Sequence, residues 1–333
     1  MKEIGICTLH GARNFGAILQ AFALQETLES MNYKSKFLLI ENSKEEPTEM
    51  VSTVQEEKFE SSRKALNRNN ILHKDEQGKY DAIIVGSDEM WNLEEDSFKH
   101  HKEYFGYNLN ADKIIAYAPS CNITKKEKVI EYFKDEILEE ANFNKFNHLS
   151  ARDMATRNLI NSISGAEPTL VLDPTFLIKD YNKYIKETTK RDYILIYGYR
   201  FSESEKNKII ELSKETGLPI YSIGFKMDWA DATLDADIFE FLGYIKNATY
   251  TICSSFHGVV FSLIFEKQFV AFVNNKAKIE DILNRFDLKY RDASNAEEIV
   301  SIIQTPIDIE KLQKLKNDKI KISLEYLKNA IEN

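Results

Sequence analysis

Apolar residues along this chain come in short runs, and most runs stop at glycine, serine, asparagine or aspartate. The first, Ile4–Thr8, reads as a buried strand. His10–Gly16 follows as a loop with two glycines, and Leu19, Phe22, Ala23, Leu24 and Leu28 then recur at helical spacing within Ala17–Met31. Phe37–Ile40 reads as a second strand, so the chain opens as β-loop-α-β. Further strands are predicted over Asp81–Val85, Ile114–Ala118 and Thr169–Leu172, and helices over Lys125–Asn142 and Met154–Ser162. Residues 41–79 break the pattern: they are rich in Glu, Lys, Ser and Asn and read as a helical or mobile excursion, a lid or an insertion.

The alternation resumes after a charged connection, Lys179–Arg191. Strands are predicted at Tyr193–Tyr197, Pro219–Ile223, Tyr250–Cys253 and Phe269–Val273. Helices are predicted at Glu203–Thr216, Asp237–Asn247, Gly258–Phe265, Ile279–Phe286 and Ala296–Ile303, with a long one over Asp308–Ala330. The pattern is that of an α/β protein with two Rossmann-like domains facing a cleft. The N-terminal domain would span 1–178, the C-terminal domain 190–307, and a C-terminal helix 308–333 that returns to the first domain. Ligands in such sheets bind at the carboxyl ends of the strands. Attention therefore falls on the loops Asn14–Gly16, Gly86–Trp91, Pro119–Asn122, Ser150–Asp153, Tyr199–Arg200 and Ser254–Gly258.

Composition narrows the function classes. The 333 residues carry a formal net charge of -9, which argues against broad electrostatic capture of nucleic acid. No stretch approaches the ~20 apolar residues that span a bilayer, and the first residues lack the apolar core of a signal peptide. The three cysteines, Cys7, Cys121 and Cys253, are scattered with no CxxC spacing, as expected of reduced thiols in a cytoplasmic protein. No HExxH, Cys/His cluster, EF-hand loop or P-loop occurs, and the adjacent pair His100-His101 points two ways, so neither a metal site nor a cofactor is indicated.

Four segments carry candidate chemistry. In Asn14-Phe15-Gly16-Ala17-Ile18-Leu19-Gln20 a glycine opens a helix, where backbone amides can approach an anion. In Gly86-Ser87-Asp88-Glu89-Met90-Trp91-Asn92, Asp88 suits either a helix cap or a sugar hydroxyl, and Trp91 either a sugar face or the core. In Ser150-Ala151-Arg152-Asp153, Arg152 suits a carboxylate or phosphate, or a neighbouring acid. In Ser254-Ser255-Phe256-His257-Gly258, His257 can act as general acid or base, the two serines stand at a helix mouth, and Gly258 permits close approach.

These segments, with Leu172-Asp173-Pro174-Thr175, resemble in order and spacing the polysaccharide pyruvyl transferase family over about residues 1 to 275. The resemblance implies a GT-B-like fold and transfer of a pyruvyl group from phosphoenolpyruvate to a sugar, forming a ketal on two hydroxyls. It implies His257 as the general acid/base. Arg152 and Arg200, with Ser254, Ser255 and Gly258, would hold the donor. Asn14, Gly16, Gly86, Asp88 and Trp91 would face the acceptor, a sugar or lipid-linked glycan of a cell-surface polysaccharide. Work at the inner face of the membrane follows from that acceptor. Some members carry an arginine two residues before the histidine, where this chain has Ser255; Arg200 or Arg13 would take its place. Two other readings stay open: a nucleotide-sugar-dependent glycosyltransferase in the same cleft, and a sugar-binding relative without catalysis.

Overall fold

The computed structural model describes residues 1–38, 52–66, 79–94, 101–133 and 143–333. Its first half is built on a parallel sheet ordered β2-β1-β3-β4: β1 Glu3–Cys7, β2 Lys34–Phe37, β3 Ala82–Val85 and β4 Ile114–Ala116. A parallel bridge from Ile115 to His148 leads from β4 towards the short pair β5 Ser150–Ala151 and β6 Thr169–Leu170. The second half holds a parallel sheet ordered β11-β10-β7-β8-β9. Its strands are β7 Ile194–Tyr197, β8 Ile220–Ile223, β9 Ala232–Leu234, β10 Tyr250–Cys253 and β11 Gln268–Ala271. Counted from β7 this is the 3-2-1-4-5 order of a Rossmann sheet, while the first half follows the 2-1-3-4 order of flavodoxin-like sheets.

Ten α-helices fall within the described residues. The first, α1 Phe15–Ser30, is buried on almost every side, so its sequence is apolar all round rather than striped. It lies against the second half as well as its own sheet. Phe15 stacks on Phe241 at 4.5 Å and tilts against Tyr197 at 6.0 Å between ring centroids. One apolar cluster accordingly contains Ile4, Phe15 and Leu24 together with Tyr193, Phe241 and Leu327. Burying each such ring contributes about 1.5–3 kcal/mol, so the two halves share a core.

Two more elements join the halves. The helix α2 Thr53–Ala65, inside the charged excursion, is capped by Ser52 and docks on α6 Ile238–Asn247. The long helix α10 Ile309–Glu332, about 36 Å at 1.5 Å per residue, returns to the first half. There Lys2 and Lys113 donate to Ile331 O, Tyr326 OH donates to Ala116 O, and Leu172 N donates to Ser323 Oγ. Among the described residues no helix is long and apolar enough to cross a membrane.

Three expectations change. The second strand is β2, three residues earlier than its apolar run suggested, because an edge strand needs only one buried face; Leu39 and Ile40 lie outside the described residues. The three-residue edge strand β9 had no apolar signal of its own. The helix expected over 125–142 is described as α3 Lys126–Tyr132, with 134–142 outside the described residues, as is His100. Of the excursion 41–79, only 52–66 and Lys79 are described.

Candidate active site

In both sheets the strand order reverses beside the first strand of the half. The loops after β1, β3, β7 and β10 meet there, at a cavity of about 290 Å³. The first half lines it with Asn14, Ala17, Asp88, Glu89, Asn92 and Arg152. The second half adds Tyr197, Tyr199, Ser254, Ser255, Phe256, His257, Lys276 and Lys278.

His257 sits in the first turn of α7 Phe256–Ile264 and is buried. Its Nε2 lies 3.5 Å from Asp173 Oδ2. Its other ring nitrogen faces the opposite half: a Cβ added to Gly16 would fall 2.2 Å from His257 Nδ1. Asp173 is held in place by Thr175, whose N–H and hydroxyl donate to Oδ1 at 3.1 and 2.8 Å. Burial alone would raise the Asp173 carboxyl. The charges of His257 and Arg152, with the Thr175 N–H, outweigh it and hold the carboxyl below its ordinary range.

Arg152 follows β5 and is 2% exposed. Its guanidinium lies over the Phe256 ring at 4.3 Å. Nη1 donates to Asp173 Oδ2 at 2.9 Å and to Asp88 Oδ1 at 3.3 Å. Burial opposes its charge, but Asp88, Asp173 and Asp153 outweigh that and raise its proton affinity. Nε and Nη2 are buried with no hydrogen-bond partner. A buried guanidinium with two idle donors is prepared for an anion, since leaving such donors unmet is costly.

The serines serve differently. Ser254 Oγ accepts from Tyr199 N and donates to Tyr199 O, both at 2.8 Å, locking the loop after β10 to the loop after β7. Ser255 caps α7: its Oγ accepts from Gly258 N at 3.2 Å and donates to Tyr197 O at 3.0 Å. Both hydroxyls are thus occupied. Gly258 does not line the cavity; a Cβ there would meet Tyr197 O at 2.9 Å, so it lets α7 pack on β7. Asn14 caps α1, and Tyr197 OH donates to its Oδ1 at 3.4 Å across the cleft.

Other expected residues stand elsewhere. Trp91 is a core residue, not a sugar platform: it is fully buried, its Nε1 donates to Tyr104 O at 2.6 Å, and it packs on Phe105, Phe143 and Phe146. Gly86 lies behind the cavity wall, with φ of 118° and Tyr117 O at 2.1 Å from where a Cβ would be. Arg200 is exposed and does not line the cavity; its guanidinium lies 5.8 Å from the Tyr199 ring centroid. Arg13 pairs with Glu56 at 2.7 Å.

Asp173, Lys276 and Lys278 were not among the expected site residues. Lys278 and Glu89 form an ion pair across the cleft, and Asn92 Nδ2 donates to Glu89 at 3.0 Å. Both lysines follow β11, so the rule that ligands gather at strand ends points to their stretch of chain without singling out either one.

A second cavity, of about 610 Å³, lies between α2 and the β8–β9 connection, lined by Ser52, Gln55, Lys226, Asp228, Thr233 and Asp235 among others. It holds no histidine, and Lys226 pairs with Asp228 at 3.4 Å. Among the described residues no cluster of three His, Cys, Asp or Glu side chains is arranged to hold a metal.

The family model described as polysaccharide pyruvyl transferase matches residues 14–276. No curated protein matches the chain. Solved structures do. UDP-GlcNAc 2-epimerase from Neisseria meningitidis, bound to UDP-GlcNAc, has a TM-score of 0.54 at 13% identity, over 99% of this chain and 100% of that one. MnaA of S. aureus with UDP has a TM-score of 0.53 at 14% identity, over 100% and 96%. An α-glucosyltransferase in complex with UDP has a TM-score of 0.50 at 9% identity, over 98% and 95%. At such identities the likeness is one of fold, and the fold is GT-B-like.

Proposed function

Because the chain belongs to the polysaccharide pyruvyl transferase family, we propose that it moves a pyruvyl group from phosphoenolpyruvate to two hydroxyls of a sugar in a cell-surface polysaccharide or its precursor. The observation that carries this reading is the pairing, in one cavity, of His257 facing Asp173 with a buried Arg152 that has two guanidinium nitrogens without a hydrogen-bond partner.

The imidazolium of His257 gives its proton to the methylene carbon of phosphoenolpyruvate, turning CH₂ into CH₃. The adjacent carbon, now electron-poor, is attacked by the first sugar hydroxyl, whose proton returns to the imidazole. The C–O bond to phosphate then breaks, and the second hydroxyl closes the ketal as its proton leaves with the phosphate. Asp173 stabilises the imidazolium and fixes the ring. Arg152 meets the donor's negative charge in a site that is preorganised by Asp88, Asp173 and Phe256. Asp88 and the Asn92–Glu89 pair face the acceptor side with oxygen acceptors for sugar hydroxyls. Three unpaired, buried cysteines suit work in a reducing compartment, with the acceptor met at the inner face of the membrane.

The test is incubation with phosphoenolpyruvate and candidate acceptor glycans, following phosphate release and product mass. Sugar-dependent release that disappears in His257→Ala supports the proposal. Turnover of a nucleotide sugar, indifferent to phosphoenolpyruvate, would replace it with the glycosyltransferase reading. Glycan binding without turnover of either donor would leave a sugar-binding protein.

A further inference from the structure

We infer that Lys276, arriving from the loop after β11, is the cation that binds the phosphate or carboxylate of the donor, the part that Ser255 and Arg200 do not play. The inference rests on the proposed donor and names the residue that holds it.

The charges around the cavity leave little choice. Arg152 already shares one nitrogen between Asp88 and Asp173. Lys278 is paired with Glu89. Both cations are thus committed to carboxylates before Lys276 is counted. Lys276 is not. Its Nζ donates to Ser254 O at 2.6 Å and lies 4.7 Å from the Tyr199 ring centroid, and among the described residues no carboxylate forms an ion pair with it. Burial, its largest influence, lowers its proton affinity; Glu205 raises it and Arg200 lowers it further. An ammonium held in that setting gains most from an anion brought beside it.

Geometry agrees. Ser254, whose carbonyl receives Lys276, directly precedes Ser255, the N-cap of α7, the helix that carries His257. The ammonium therefore stands next to a helix N-terminus, where unmet backbone N–H groups also favour an anion. Arg152 enters the same cavity from the first half. A donor with two anionic groups can thus be held at each end, one by each half.

The decisive variant is Lys276→Gln, which keeps a donor for Ser254 O but removes the charge. Binding is read with phosphoenolpyruvate and, separately, with inorganic phosphate, alongside Arg200→Gln as a rim control. The expected result is roughly tenfold or greater weakening of both ligands in Lys276→Gln, recovery in Lys276→Arg, an unchanged melting temperature, and little effect of Arg200→Gln. In turnover the same variant raises KM for the donor more than it lowers kcat. Unchanged affinity in Lys276→Gln, or a loss confined to Arg200→Gln, overturns the inference. A protein that binds phosphate through Lys276 but releases none from phosphoenolpyruvate in any glycan's presence keeps the inference and loses the proposed reaction. A wild type that binds neither ligand loses both.

Discussion

Gly16 and His257 are in contact across the cleft so closely that no side chain fits between them: a Cβ at Gly16 would lie 2.2 Å from His257 Nδ1 and 2.3 Å from Cγ. The atoms it would meet belong to a buried ring whose Nε2 faces Asp173 at 3.5 Å, not to the free end of a flexible chain. Gly16→Ala must therefore push the imidazole away from Asp173. We expect at least a tenfold loss of kcat with only about 1–3 kcal/mol of stability lost to overpacking. Paired kinetics and thermal melts check it; full activity would mean that the ring position does not matter.

Asp173 joins the acid/base to the anion site, because one oxygen meets both Arg152 and His257. Among the described residues, Asp173→Asn leaves the buried guanidinium with Asp88 as its remaining ion-pair partner, and breaking a buried pair in this way costs about 3–5 kcal/mol. The wild-type carboxyl is held below its ordinary range, so its contribution to stability is present above the unfolded carboxylate pKa. It is lost only as pH falls below that range through the folded value. Acid titrations of wild type and Asp173→Asn should converge only in strong acid. Convergence already near pH 5 would contradict the pairing.

How much of this was legible in the sequence depends on what each residue answers to. The alternation of β and α elements was readable because buried parallel strands are short apolar runs with turn residues at their ends, as in Ala82–Val85 before Gly86. β2 was placed three residues late and β9 not at all, because edge strands are buried on one side only and their residues look like loop. His257 and Arg152 were legible from their strand-end positions. Trp91 was not, since an indole that packs in a core has the same local sequence as one that faces a sugar. Lys276 was hidden for another reason: lysines are common at surfaces, and only the fold brings this one beside Ser254.

Asp281, on α8 Ala277–Arg285, supplies a pH signature of opposite sign. Burial pushes its carboxyl up to about 6, helped by Asp153 and resisted by Arg285 and the Met154 N–H. The folded state therefore binds a proton that the unfolded state has released, and stability falls as pH rises from about 4 to about 6. Discounted for partial solvent screening, the loss is on the order of 1–2 kcal/mol. Asp281→Asn should remove that fall, because Arg285 remains bonded to Arg152 O and Val171 O. Chemical denaturation at pH 4.5 and 7 compares the two proteins. An identical pH dependence in both would place the titration elsewhere.

The helix α2 touches both the start of α6 and the loop before Asn14. Gln55 closes two buried hydrogen bonds on Ala236, Nε2 to its carbonyl and Oε1 from its N–H, both at 2.9 Å. Ser62 Oγ accepts from Ile238 N, and Lys58 pairs with Glu240. The same helix holds the loop before Asn14: Arg63 donates to Gly11 O at 3.2 Å, and Glu56 pairs with Arg13. Gln55→Ala leaves both polar groups of Ala236 buried and unmet, a cost of about 2–4 kcal/mol. The docking of α2 on α6 loosens first, so residues 10–16 should exchange amide hydrogens faster and KM should rise before kcat falls. Loss of stability with unchanged exchange over 10–16 would make α2 a strut between the halves with no hold on the site.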